Sequence, residues 1–263
     1  MKKHSILMMS LAFLIFSCGK EEVFNPKVII AGKLLNTEAK EINIYQDQEI
    51  TKTSVSEDGS FQLEFDAESS ENYSVRAGRE GFSLFLSPGD SVFVEVDSED
   101  FKNSFKLHGD HVAENTFIFE RDKLYRDSGM GNMMELMKLD KEAYFAKKNE
   151  YFATLTSQLE ELNQKEGIDE EFVKLEEAYI EYQPLLLDSQ YPMYYAYVNK
   201  VSQDSVDFPK EEVKTKLAAL DLNRTDLLKS GTYKALIDRR VGEKVSEIMK
   251  QDTTLRNSAD GYE

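Results

Sequence analysis

The apolar residues of this chain change their period once, near His108, and that change limits the fold more than any other feature. Upstream, Ile42 and Ile44, then Phe61, Leu63 and Phe65, then Phe82, Leu84 and Leu86, then Val92, Val94 and Val96 each recur at every second position. Side chains two apart lie on one face of a strand, so each run makes a strand with one buried face. Glu57-Asp58-Gly59, Gly78 to Gly81 and Ser87-Pro88-Gly89-Asp90 supply turn residues between the runs. About seven short strands at this spacing predict a small antiparallel β-sandwich or barrel-like domain.

Downstream, from Val112, the spacing is that of helices, with few glycines. Phe145, Phe152, Leu155, Leu159 and Leu162 share one helical face, with Gly167 placed to close that helix. Asp169 is placed to cap the next, whose stripe is Phe172, Leu175, Tyr179, Tyr182 and Leu186. Pro184 is expected to kink or end it, since proline removes a donor and crowds the preceding turn. Shorter helical segments follow at Tyr191–Lys200, Lys210–Leu220 and Tyr233–Lys250. The expected class is α+β: a β domain over 27–108, then an all-helical array over 109–263 that reads as incomplete at its C-terminus.

The first residues read as an address. Lys2 and Lys3 precede an apolar run from Ile6 to Phe16, and Ser17 stands before Cys18, the sole cysteine. This is the layout of a bacterial lipoprotein signal over 1–17. It predicts an acylated Cys18 as first mature residue, a tether over 18–26, and a lipid bilayer as partner. The expected location is the cell envelope, with the outer membrane favoured, facing periplasm or cell surface. Gly19-Lys20-Glu21-Glu22 fits a plain solvated tether and also resembles a surface-display signal. With one cysteine there is neither a disulfide framework nor a CxxC pair. The net charge of −17, more acidic still once Lys2 and Lys3 leave, repels phosphate backbones and argues against a nucleic-acid partner.

Clusters that could carry chemistry also fit plainer roles. His108 and His111 flank Gly109-Asp110; two ligands without a third do not make a metal site, and the tetrapeptide reads better as a strand-to-helix turn. Met130, Met133, Met134 and Met137 follow helical spacing, which suits a buried face better than a copper(I) site. Tyr191, Tyr194, Tyr195 and Tyr197 could stack on a sugar or peptide, although packing is the favoured role. The acidic neighbours Glu160-Glu161 and Glu176-Glu177 read as solvated charge. No phosphate loop, calcium loop or nucleophile elbow is present, so neither an enzyme nor a cofactor is expected. Asp90-Ser91-Val92, Asp204-Ser205-Val206 and Asp252-Thr253-Thr254 match short O-glycosylation acceptors.

Taken in order, the lipoprotein leader, Ala31-Gly32-Lys33-Leu34, Glu57-Asp58-Gly59-Ser60-Phe61, Leu86-Ser87-Pro88-Gly89-Asp90-Ser91-Val92, Phe105-Lys106-Leu107-His108-Gly109 and Ala113-Glu114-Asn115 resemble a family. It is the N-terminal portion of TlpA-like thiol–disulfide oxidoreductase lipoproteins, and the likeness covers about residues 20 to 250. The resemblance implies a front region that precedes a thioredoxin domain carrying CxxC, a pair for which this chain has no matching position. The implied role is a non-catalytic scaffold or spacer for a thioredoxin-fold domain. The alternative is a stand-alone lipoprotein that binds a peptide, a glycan or an envelope protein.

Overall fold

The structure is a computed structural model that describes residues 24–251; the leader, Cys18 and Asp252-Thr253-Thr254 lie outside the described residues. Eight strands form the first region: β1 (Lys27–Leu35), β2 (Glu41–Gln46), β3 (Gln48–Ser54), β4 (Ser60–Asp66), β5 (Glu71–Ala77), β6 (Glu80–Leu86), β7 (Ser91–Asp97) and β8 (Lys106–Gly109). A single helical turn, α1 (Phe101–Ser104), joins the last two. The helices that follow are α2 (Val112–Asp127), α3 (Met133–Leu136), α4 (Lys141–Asn163), α5 (Glu170–Asn199), α6 (Lys210–Ala218) and α7 (Gly231–Gln251). The molecule is therefore α+β, a two-sheet β region followed by a helical array.

The strands make two four-stranded sheets, ordered β4-β1-β7-β8 and β3-β2-β5-β6. Their inward faces share one core, in which Val28, Ile30, Ile42, Ile44, Leu84 and Val94 are fully buried. One pairing departs from the antiparallel expectation: β1 and β7 run parallel, with Ile30 opposite Val92 and Leu34 opposite Val96. Alternation encodes which face is buried, not which way the neighbouring strand runs. The eighth strand is short, with Leu107 its one buried residue.

The helical core is built mainly by α4 and α5. On α4 the stripe is buried from Phe152 to Leu162, with Phe145 packed at its edge. Asp169 caps α5 as its position suggests, its Oδ1 accepting from the Glu171 and Phe172 amides at 2.8 and 3.2 Å. Pro184 does not end that helix. It runs on to Asn199 with Pro184 and Pro192 inside it, so the segment at Tyr191–Lys200 is its last part. Proline in a helix interior costs about 3 kcal/mol; here Tyr182, Leu187 and Tyr191, all buried, hold the helix to the core on both sides of the ring.

The two regions are joined by a buried polar bridge. Asn115, wholly buried on α2, accepts from the Phe85 amide at 2.7 Å and donates to the Phe85 carbonyl at 2.9 Å. Strand β6 is the edge of its sheet, so this side chain takes the place of a further strand. The Phe85 ring turns away from the β core into the helical one. It meets Phe172 and His111 edge-on at 5.2 and 5.1 Å. Phe105 stacks on Phe119 at 4.4 Å and adds a second link.

Gly109 makes the turn into α2 with φ of +107°, and a Cβ there would sit 2.1 Å from the Ser91 carbonyl oxygen. Both the backbone region and the clash exclude a side chain. Gly109→Ala is expected to destabilise the chain by about 2–3 kcal/mol, read as a lower urea midpoint with an unchanged slope.

Candidate functional site

Exposed apolar side chains gather at one end of the helical array. Gln183 bonds Thr232 and Ser189 bonds Arg239, so α5 and α7 lie side by side and run the same way. Their last turns therefore reach the same end of the molecule. There α7 presents Val241, Val245 and Ile248, about half exposed at 52, 47 and 46%, and α5 presents Met193 and Tyr197. Positions 241, 245 and 248 share one helical face. Burial of each remaining half would contribute about 1 kcal/mol, so the stripe is worth about 3 kcal/mol to anything that covers it.

On the opposite side of α7, where Arg239, Gly242, Glu243 and Ser246 turn toward α5 and α6, lies a groove of about 560 Å³. Its apolar wall comes from Pro192, Phe208, Val213 and Leu217, and its rim mixes Lys210 and Lys214 with Glu243 and Glu247. Arg239 spans it, donating from Nη2 to the Ser189 carbonyl at 2.7 Å, with Glu243 3.7 Å from its Nε. Phe208 stacks on both Tyr191 and Phe145, at 4.6 and 5.3 Å. Deeper, Asp188 accepts from the Tyr144 hydroxyl at 2.9 Å and from the buried Lys148 ammonium. Burial holds the Lys148 pKa below its ordinary value even though Asp188 opposes the shift. The ammonium also lies 4.6 Å from the Phe145 ring centroid.

The tyrosine cluster divides between core and solvent. Tyr191 is buried and donates to the Leu139 carbonyl at 2.7 Å. Tyr194 and Tyr195 pack against the helical core, with the Tyr195 ring 5.3 Å from that of Tyr191. Tyr197 stands 75% exposed on the other side of the helix. The fold thus brings Tyr191 and Tyr195 together and keeps Tyr197 apart. Cys18 lies outside the described residues.

The histidines separate as well. His108 is exposed on β8, whereas His111 is tucked between the regions, with Ser87 Oγ at 3.0 Å and the Asp90 and Glu114 carboxylates each at 3.4 Å. Among the described residues no three His, Cys, Asp or Glu side chains converge as metal ligands. The methionines do not share one long helix. Met130 lies in a turn that includes Gly129, at φ +78°, and α3 is one turn long. Met130 and Met137 are buried, while Met134 is exposed.

One reading of charge is corrected. Glu176 is not solvated: it is 1% exposed and its Oε1 lies 2.5 Å from Arg121 Nη1. Glu177, one residue on, faces solvent as expected. The partner of Glu176 lies 55 residues upstream, and no local pattern announces such a pair.

Comparison of the chain with protein-family models, with curated proteins and with solved structures finds no match. Among the described residues no helix is long and apolar enough to cross a membrane.

Proposed function

We propose that this chain is the non-catalytic, membrane-anchored front region of a cell-envelope thiol–disulfide oxidoreductase, and that it holds a thioredoxin-fold domain by the exposed end of the helical array. The observation that carries this is the half-exposed stripe Val241, Val245 and Ile248 on the last described helix. A spacer that ends in water needs no such stripe. A scaffold that receives another domain does. The Asn115 bridge supports the same role, because a scaffold must transmit position from its anchored end to its docking end without a loose joint.

The test is site-specific photo-crosslinking from position 245 in the cells that make the protein. The expected capture is a polypeptide of thioredoxin fold with a CxxC pair, whether continuous with this chain or separate. Capture of any other protein, or of none, overturns the proposal. A companion result is expected from the triple change Val241→Ser, Val245→Ser, Ile248→Ser. Because these side chains are half exposed, the melting temperature of the chain alone should hold to within about 3 °C, while a crosslinker at position 244 loses its capture.

A further inference from the structure

The groove of about 560 Å³ between α5, α6 and α7 is elongated. Along α7 its lining runs from Arg239 to Lys250, a span of about 16 Å. Gly242 keeps it open, since a Cβ there would meet nothing within 4 Å. Pro192, Val213 and Leu217 give its wall an aliphatic character. Phe208 also lines it, but its ring is already engaged by Tyr191 and Phe145. Such a wall suits an alkyl chain better than a second aromatic body.

The charges around this wall do not balance. Four cations line the groove, Lys210 and Lys214 from α6 and Arg239 and Lys250 from α7, against the carboxylates of Asp188, Glu243 and Glu247. Two of those carboxylates are engaged by lysines from outside the groove, Asp188 by Lys148 and Glu247 by Lys244 at 3.2 Å. Glu243 alone is left to offset four cations, and it lies 3.7 Å from Arg239. Lys210 donates to the Gln203 and Asp204 carbonyls at 2.6 and 3.2 Å, which carry no full charge. Lys214, exposed on α6, acts on Glu247 from a distance, helping Lys244 hold that carboxyl below its ordinary value. In a chain of net charge −17 the groove is therefore a local excess of positive charge beside an apolar wall.

We infer that the groove binds an amphipathic anion, a straight-chain aliphatic carboxylate of about ten carbons, with its head group against Lys210 and Lys214 and its chain along Pro192, Val213 and Leu217. Extended, such a chain is about 12 Å long, which the groove holds with room for the head group. A carboxylate offers the α6 lysines the counter-charge they lack, and the charge assistance strengthens each hydrogen bond. A cationic amphiphile of the same length would meet the same wall and the wrong sign. The inference does not depend on the docking role proposed above, which uses the opposite face of α7.

The probe is decanoate, titrated into the full-length chain by calorimetry beside hexanoate and decyltrimethylammonium. Decanoate is expected to bind with a Kd below about 1 mM. Hexanoate, which lacks four methylenes, should bind about tenfold more weakly or worse, and decyltrimethylammonium should lose a similar factor. Gly242→Leu fills the groove from α7 and removes a glycine from a helix interior, so it should abolish decanoate binding without lowering the melting temperature. Lys214→Glu, at an exposed position, should weaken decanoate about tenfold and spare decyltrimethylammonium. Should Gly242→Leu fail to fold, Lys214→Glu decides in its place. Equal binding of decanoate and decyltrimethylammonium overturns the inference. So does unchanged decanoate binding in the folded Gly242→Leu chain, or no heat of binding up to about 10 mM.

Discussion

Asn115→Ala is expected to lower the stability of the chain by about 3–5 kcal/mol. The side chain makes three hydrogen bonds to main chain: from the Phe85 amide, to the Phe85 carbonyl, and to the His111 carbonyl at 3.0 Å. Asn115 is wholly buried, as is Phe85, so water does not readily replace it at Phe85. Each buried main-chain group left alone costs about 1–3 kcal/mol, and two of the three lie on β6, an edge strand with no further strand to pair them. A typical domain is stable by only about 5–15 kcal/mol, so this one residue decides whether the joint stays closed. Asn115→Asp should cost as much despite its identical shape, because a carboxylate cannot donate to either carbonyl. The measurement is urea unfolding followed by circular dichroism. A loss of under about 1 kcal/mol in both variants would show that the bridge is not what joins the regions.

The same residue shows what the sequence reveals and what it conceals. Asn115 is legible as a feature of a helix start, in Ala113-Glu114-Asn115, because its role toward His111 is local. Its role toward Phe85, thirty residues earlier, is not. Phe85 itself is hidden in the same way: the alternation of Phe82, Leu84 and Leu86 fixes the inner face of β6, and nothing in that pattern says that the outer face is buried under helices. Strand positions and helix faces follow from periodicity, which is local physics. The parallel pairing of β1 with β7 does not, since a strand's pattern is the same whichever way its neighbour runs. Proline at 184 misleads for a related reason. Its local cost is real, but the buried neighbours that outweigh it come from α4 and α7, far away in the chain.

The methionine run reaches the core at Met130, Met133 and Met137, as a packing role expects, but not on one helix. Its spacing fits a helix, yet Gly129 and Gly131 lie beside or within it, and glycine's freedom lets the chain turn there before α3 begins. Residue type should have outweighed periodicity in so short a window. For the tyrosines the favoured packing role holds at Tyr191, Tyr194 and Tyr195, and spacing already places Tyr197 off the face shared by Tyr191 and Tyr195. The α7 stripe follows from Val241, Val245 and Ile248 at helical spacing. The pairing of Arg121 with Glu176 spans 55 residues, and only the folded chain shows it.

That pair carries the second large effect. Arg121→Met removes the cation that two carboxylates share, and leaves Glu176 buried without a counter-charge. Breaking a buried pair from one side costs about 3–5 kcal/mol, whereas replacing both partners by apolar groups is often close to neutral. Arg121→Met is therefore expected to be severely destabilising at pH 7. Arg121→Met with Glu176→Leu should recover most of the loss, since Asp122 is about one-third exposed and can turn to water. The pH dependence has a definite sign. Burial already places the Glu176 carboxyl above its ordinary 4.5, and loss of Arg121 raises it further. A carboxyl whose pKa is higher folded than unfolded binds its proton more tightly in the folded state, so it destabilises the fold as pH rises through that interval. The deficit of Arg121→Met against the native chain should thus be largest near neutrality and shrink as pH falls toward 4.5. Thermal melts at pH 5 and pH 7 read this directly. A deficit that is equal at both, or a double variant no more stable than the single one, would mean that Arg121 stabilises the fold through its guanidinium over the Tyr179 ring rather than through its pairing with Glu176.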